Sequence, residues 1–390
     1  MKKRLFLPWM AAAAVVVGGL AMLGSGRDVT AATATVAPGQ SIQDAIDEVA
    51  AGGGGTVTVL PGTYAEAIEI NNSGITLKGS AEGVIIVPPP PSCPEDADAA
   101  VNCVAAPAGE KFSCAGSGIC IWDVSNVTIK RLTVQGFEES GVILFETSNV
   151  TVSDVRAIDN DEYGIAAFAS WNVTLYRNFA TGAEDAGIYI GDSSNAQNEL
   201  RLNRTNGNAL GILVRNSSGV MLKSNTSNGN CAGILLLVAH DISVSNNTLN
   251  SNTLACEEEE EDGSPPISGN GLLIADSYDI TITGNSINGN VGTSLGGSSE
   301  PNPVEGPPSG GIVVYTIPNI PPPPDPVSVT SDPGWYIVTS GNFLRRNSVD
   351  FHWGEFGPNP YSSGTQNRCK SAVKSTPGGF CNFDEVVPAP

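Results

Sequence analysis

Ser125-Asn126-Val127-Thr128-Ile129, Ser148-Asn149-Val150-Thr151-Val152 and Trp171-Asn172-Val173-Thr174-Leu175 are one five-residue phrase written three times. Asn126, Asn149 and Asn172 stand 23 residues apart at each step. A second marker keeps the same pace: Gly141-Val142, Gly164-Ile165, Gly187-Ile188, Gly211-Ile212 and Gly233-Ile234, with glycines 23, 23, 24 and 22 apart. Gly271-Leu272 and Gly311-Ile312 resume it after insertions. A fixed period of this length is the signature of a solenoid. Each unit holds three short alternating runs, none long enough for a packed helix. After each glycine the first and third residues are apolar, as in Val142 and Leu144, Ile165 and Ala167, or Ile188 and Ile190. Period-two alternation sets such pairs on one side of a strand. One three-strand rung has no core of its own, but stacking at about 4.8 Å per coil makes a continuous one. The expected fold is all-β: a right-handed parallel β-helix of three sheets.

Asn178, Asn203, Asn225, Asn247, Asn285 and Asn342 mark the bend after the Asn-Val-Thr-Ile strand. Asparagine tolerates left-handed φ, and its amide can bond the same group one coil away, so these residues read as a structural stack. The coil from Ser194 to Ser217 is less regular, with Leu200 and Leu202 in place of the usual valine-led strand. Ahead of the repeats, Ser41 is placed to cap a short helix whose Ile42, Ala45, Ile46 and Val49 share a face that would plug the first coil.

Lys2, Lys3 and Arg4 precede an apolar or small run from Leu5 to Leu23, and Ala32-Thr33-Ala34 offers a small-x-small cleavage site. Residues 1–34 therefore read as a signal peptide, the alternative being a retained membrane anchor. The β-helix is expected over 35–368, with insertions at 88–120, 254–266, 291–309 and 316–332, and a cap and tail over 369–390. Export makes the even cysteine count a disulfide framework. A metal role for these cysteines is disfavoured, since no Cys-x-x-Cys occurs and the histidines are only His240 and His352. Cys231 lies in the turn before Gly233-Ile234 and Cys256 in the equivalent turn one coil later, so stacking should pair them. Cys369 should pair with Cys381 by proximity, while Cys93, Cys103, Cys114 and Cys120 pair among themselves in an order left open.

The formal charge is −21; the first 34 residues carry +3, leaving −24 on the remainder. An acidic body argues against nucleic acid and anionic membrane surfaces as partners, and against a polyanionic sugar unless a cation bridges. With 45 Gly, 27 Pro and 15% charged residues, the composition suits turn-rich β architecture.

Gly39-Gln40-Ser41-Ile42-Gln43-Asp44-Ala45-Ile46, Gly54-Gly55-Thr56-Val57 and Pro61-Gly62-Thr63-Tyr64 resemble the opening of the pectate-lyase-like superfamily. The Asn-Val-Thr-Ile…Asn…Gly-Ile repeat resembles its carbohydrate-binding and sugar-hydrolase branch. The ending, with Trp353-Gly354, Asn367-Arg368-Cys369 and Pro377-Gly378-Gly379-Phe380-Cys381, is similar to exported bacterial members. The resemblance implies an extracellular polysaccharide or glycan as partner. It also implies a groove along the strand after the Gly-Ile marker, walled by the turn before it.

Those turns carry Glu138-Glu139, Asp159-Asn160-Asp161-Glu162 and Ala183-Glu184-Asp185. Asp161, Glu162, Glu184 and Asp185 occupy one turn of successive coils, and such a row of oxygens would take calcium. Arg215 is the one basic residue projecting from the central groove, one coil after Tyr189, and Asp192 ends the adjacent strand. Arg215, Tyr189 and Asp192 are therefore the candidate catalytic or sugar-binding groups. The outward strip, including Ile143, Phe168, Leu213 and Leu235, is apolar, so the insertions are expected to cover it. The Asn-Thr-Asp, Gly-His-Gly and Arg-Ile-Lys motifs of polygalacturonase-type hydrolases do not occur, nor does the Asp-Pro-His core of alginate epimerases. Three functions remain: a glycan- or partner-binding β-helix, a polysaccharide lyase or hydrolase, and a structural surface protein.

Overall fold

A computed structural model describes residues 31–90, 114–257, 266–292, 307–315, 337–353, 363–370, 375–376 and 381. The chain runs repeatedly through three short strands, and each strand hydrogen-bonds in parallel to its equivalent one coil away. Sheet A has 12 strands, from Ala32–Val36 to Ser363–Thr365; sheet B has 11, from Gly62–Ala65 to Arg368–Cys369; sheet C has 11, from Ile68–Ile70 to Ser375–Thr376. Registers follow the repeat: Thr128, Thr151 and Thr174 align in sheet A, and Val142, Ile165 and Ile188 in sheet C. The inward residues of all three sheets form one continuous apolar core.

The Gly-Ile marker has a steric cause. A Cβ on Gly187 would lie 3.0 Å from the carbonyl oxygen of Gly211 one coil on, and one on Gly233 would lie 2.6 Å from that of Gly271. Only hydrogen lets the coils close to ladder distance at that point.

The bend from sheet A to sheet B takes two residues in nine consecutive coils, from Arg131-Leu132 to Gln366-Asn367. Its first residue has φ between 53° and 65° throughout, and projects outward. From Asn178 onward its second residue is a buried asparagine, and these form the expected ladder. Asn225 Nδ2 donates to Asn247 Oδ1 (3.1 Å) and to Leu200 O (2.8 Å), while its own Oδ1 accepts from Asn203 N and Nδ2 (both 3.0 Å). Each amide of this ladder is thereby paired, as burial of polar groups requires. A second ladder, absent from the sequence reading, runs five residues later through Asn208, Asn230, Asn252, Asn290 and Asn347. Leu200 is core, but Leu202 is not its strand partner: it occupies the outward bend position at φ 57° and is 46% exposed.

The helix Ile42–Ala51 closes the first coil, with Ile42, Ile46 and Val49 buried and Ser41 Oγ accepting from Asp44 N. The strand Ala32–Val36 pairs with Gly55–Val59 and so begins inside the segment expected to end at residue 34. Residues 1–30 lie outside the described residues. Disulfides join Cys231 to Cys256 and Cys369 to Cys381 as expected, and Cys114 to Cys120; Cys93 and Cys103 lie outside the described residues. Among the described residues no helix is long and apolar enough to cross a membrane.

Candidate functional site

Sheet C carries two apolar layers, because its outward residues are buried as well as its inward ones. Ile143, Ala166, Tyr189, Leu213, Leu235, Leu273 and Val313 form a second cluster, none more than 6% exposed. Ile267, in the small antiparallel pairing of Ala255–Cys256 with Ile267–Ser268, packs against this layer, as does Cys114. Most of the expected cover, 258–265, 293–306 and 316–332, lies outside the described residues. The strip is thus not an open apolar cleft.

At one edge the layer becomes polar. The outward row near the strand ends reads Phe145, Phe168, Gly191, Arg215, Leu237, one residue per coil. Gly191 leaves a gap in this row, and the Tyr189 ring fills it: a Cβ on Gly191 would collide with that ring and its hydroxyl. The ring lies 4.6 Å from Phe168 on one side, and Arg215, the register partner of Gly191, stands on the other. Tyr163 completes the aromatic group at 4.7 Å from Tyr189. Residue spacing alone does not show this meeting, since Tyr163 aligns with Ala186 and Tyr189 with Ala166.

Arg215 and Asp192 are exposed, Phe168 is half-buried, and Tyr189 is only 4% exposed beneath them. Asp192 N donates to Arg215 O (3.2 Å), and Asn216 Nδ2 donates to Asp192 Oδ1 (2.7 Å), which fixes the carboxylate. Burial pushes the Tyr189 hydroxyl well above the ordinary tyrosine range; Asp192 adds to the rise and Arg215 opposes it. Tyr163 is raised in the same way, first by burial and then by Asp185, to which its hydroxyl is hydrogen-bonded. Both tyrosines are therefore neutral donors near neutral pH, not bases. The structure brings together Arg215, Tyr189 and Asp192, and adds Phe168, Tyr163 and Asn216, which the sequence reading did not place in the site. The gap at Gly191 in an otherwise bulky row was the signal for Phe168.

The acidic turns lie side by side along the coils. Glu184 N donates to Asp161 O and Asp185 N to Glu162 O, so the four residues do stack on adjacent coils. Among the described residues, however, no three Asp, Glu, His or Cys side chains converge as a metal ion would need. Asp185 is drawn to Tyr163, and the carbonyls of Asp161, Glu162 and Asp185 are already occupied by the coil-to-coil ladder. Asp161, Glu162, Glu184 and Asp185 thus form an acidic wall along adjacent coils. His240 stacks on Tyr278 (4.9 Å) at the start of its strand, and His352, lowered by partial burial, lies in the terminal coils, both away from this edge.

A search of curated proteins finds no match. Among solved structures the chain is similar to the A-module of the mannuronan C-5 epimerase AlgE4 of Azotobacter vinelandii, with 17% identity, a TM-score of 0.52, and coverage of 86% of this chain and 91% of that one. It is also similar to the DFA-IIIase of Arthrobacter chlorophenolicus A6 in complex with DFA-III, with 11% identity, a TM-score of 0.51, and coverage of 90% and 86%. At these identities the likeness is one of fold. The family model described as a right-handed β-helix region matches residues 101–209 and 196–307, more than half of the chain. The coil period, the three parallel sheets and this match agree: the chain belongs to the right-handed β-helix family.

Proposed function

We propose that this protein is an exported β-helix that binds extracellular carbohydrate at the polar edge of sheet C. The observation that carries the reading is the junction of Tyr189, Asp192 and Arg215 beside Phe168. A sugar ring presents an apolar face and a rim of hydroxyls. Half-exposed Phe168 suits the face, while an anchored carboxylate, a guanidinium and a neutral phenol suit the rim. The family and the two solved likenesses, one a mannuronan epimerase and one solved with DFA-III, support a carbohydrate partner. Three disulfides are in keeping with an oxidising, extracellular setting.

A second reading is a polysaccharide lyase or hydrolase. It is favoured by the protonated Tyr189 hydroxyl, held where it could donate to a leaving oxygen beside Asp192. The test is a calorimetric screen of neutral and acidic oligosaccharides on wild type, Arg215→Ser and Asp192→Asn, with and without calcium. Reducing-end release and ultraviolet absorbance of unsaturated products are followed in parallel. Binding lost in both variants supports the site, and product release abolished by Tyr189→Phe moves the reading to catalysis. Undiminished binding in both variants sinks it. Binding that needs calcium would bring Asp161, Glu162, Glu184 and Asp185 back into the reading.

A further inference from the structure

The basic residues of this acidic chain are not scattered. Residues 35–390 hold 15 Lys or Arg against 39 Asp or Glu. Seven of the 15 fall in five aligned segments at the sheet A to sheet B corner: 128–133, 151–156, 174–179, 199–204 and 221–226. The same segments hold only two acids, Asp154 and Glu199. Each acid holds one arginine, Arg177–Asp154 at 3.2 Å and Arg201–Glu199 at 3.4 Å. That leaves Lys130, Arg131, Arg156, Arg204 and Lys223 without an acidic partner among the described residues, all of them half-buried or exposed. Sequence distance hides this grouping, and the two-residue bend creates it by returning every equivalent position to the same edge at about 4.8 Å per coil.

Aromatic rings lie within the stripe. Arg201 sits over the Tyr176 ring at 4.0 Å, and Arg156 over Phe179 at 4.7 Å, with Phe179 in register between Arg156 and Arg204. Beside them is a shallow recess of about 370 Å³ lined by Glu199, Arg201, Leu202, Lys223 and Ser224. Each of the long insertions leaves the stack between sheets B and C or between sheets C and A, so none originates at this corner.

We propose that this corner is a second binding surface, for a linear acidic polysaccharide carrying carboxylates along its length. A pyranose unit advances an extended chain by about one coil spacing, so the carboxylates that face the surface recur at whole multiples of the spacing between cationic rungs. The rings of Tyr176 and Phe179 take the apolar sugar faces between them, and charge attraction is confined to this edge of an otherwise repelling body. A nucleic acid duplex fits less well, because its width would press phosphates against the acidic flanks. The surface is separate from the sheet C edge and does not depend on the reading given to it.

The experiment titrates the whole exported protein with polygalacturonate, a neutral galactan, duplex DNA and anionic vesicles, at two salt concentrations. Polygalacturonate should bind, weaken with salt, and weaken at least tenfold in Arg204→Ser/Lys223→Ser. Arg131→Gly, a change the left-handed backbone there accepts, should weaken it several-fold with the melting temperature held. Arg346→Gly, a left-handed position away from the stripe, should leave affinity unchanged. Arg215→Ser is titrated separately: a fall in polygalacturonate affinity confined to the corner variants belongs to this surface, whereas a fall confined to Arg215→Ser belongs to the sheet C edge and overturns the proposal. The proposal is overturned if polygalacturonate does not bind or if the double variant binds it as wild type does. Equal or tighter binding of duplex DNA or vesicles also overturns it.

Discussion

Asn225→Ala isolates what the asparagine ladder contributes. The side chain is 1% exposed and takes part in four hydrogen bonds: two accepted from Asn203, one donated to Leu200 O and one to Asn247 Oδ1. At a net of roughly 0.5–1.5 kcal/mol per bond, their loss costs about 2–6 kcal/mol. The upper half of that range is favoured because Asn203 N and Leu200 O stay buried with nothing to replace the amide. The expected loss is therefore about 4–6 kcal/mol, read from urea unfolding followed by far-ultraviolet circular dichroism. Ser243→Ala, an outward position on the neighbouring strand, serves as control and should stay within about 0.5 kcal/mol of wild type. Asn203→Ala/Asn225→Ala should cost less than the sum of its single changes, since the pair shares two of the bonds. A loss under about 1 kcal/mol for Asn225→Ala, or strict additivity in the double variant, would refute the view that the ladder fixes the bend.

Three further outcomes follow from features of the coils. Cys256→Ser opens a link between residues 25 apart, which by loop entropy is worth roughly 3.5 kcal/mol at most; it should also raise binding of an environment-sensitive dye as the Ile267 contact loosens, and no rise would count against the covering role. Tyr163 and Tyr189 have raised values in the folded chain, so the unfolded chain releases their protons first above the ordinary value of 10.0, and stability present below that pH is lost as pH rises through it. Tyr189→Phe should flatten that alkaline decline in unfolding experiments, and an unchanged slope would show the ring is not buried as described. Gly233→Ala must push a Cβ against Gly271 O and Asn252 Nδ2, whereas Gly229, at φ 67°, has open space around it. The first change should lower the melting temperature well beyond the second, whose cost is about 1–2 kcal/mol of backbone strain, and equal effects would remove the steric account of the marker.

The fold was legible because a solenoid repeats its physics at fixed intervals. Asn126, Asn149 and Asn172 announce the period, and the alternation after each glycine announces the inner face. The second asparagine ladder was equally visible in principle, five residues behind the first, from Asn203 and Asn208 to Asn342 and Asn347. Leu202 misled because period-two alternation continues past the end of the strand on paper, while the chain turns at that residue. The site was legible in part. Arg215, Tyr189 and Asp192 follow from register, but the ring of Tyr189 lying over Gly191 is a rotamer choice made by three coils together. The like-charged turns follow from the repeat, whereas the contact of Asp185 with Tyr163 depends on where a carboxylate points, which spacing does not give. Net charge is a total, and −24 is compatible with a local stripe of the other sign at the sheet A to sheet B corner.

The two-residue bend makes the length of this molecule a matter of whole numbers. Excising 204–225 would join Asn203 directly to Thr226 and remove one complete turn, ladder amide included. Phe179 would then face Thr226 in place of Arg204, and every later strand would keep its register. Such a cut shortens the rod by about 4.8 Å without exposing a new edge. A cut one residue longer or shorter at this two-residue bend would turn the adjoining strand's core residues to solvent until a later turn took up the difference. A chain carrying this repeat can therefore grow or shrink by duplication and loss of whole turns, with all three sheets lengthening in step.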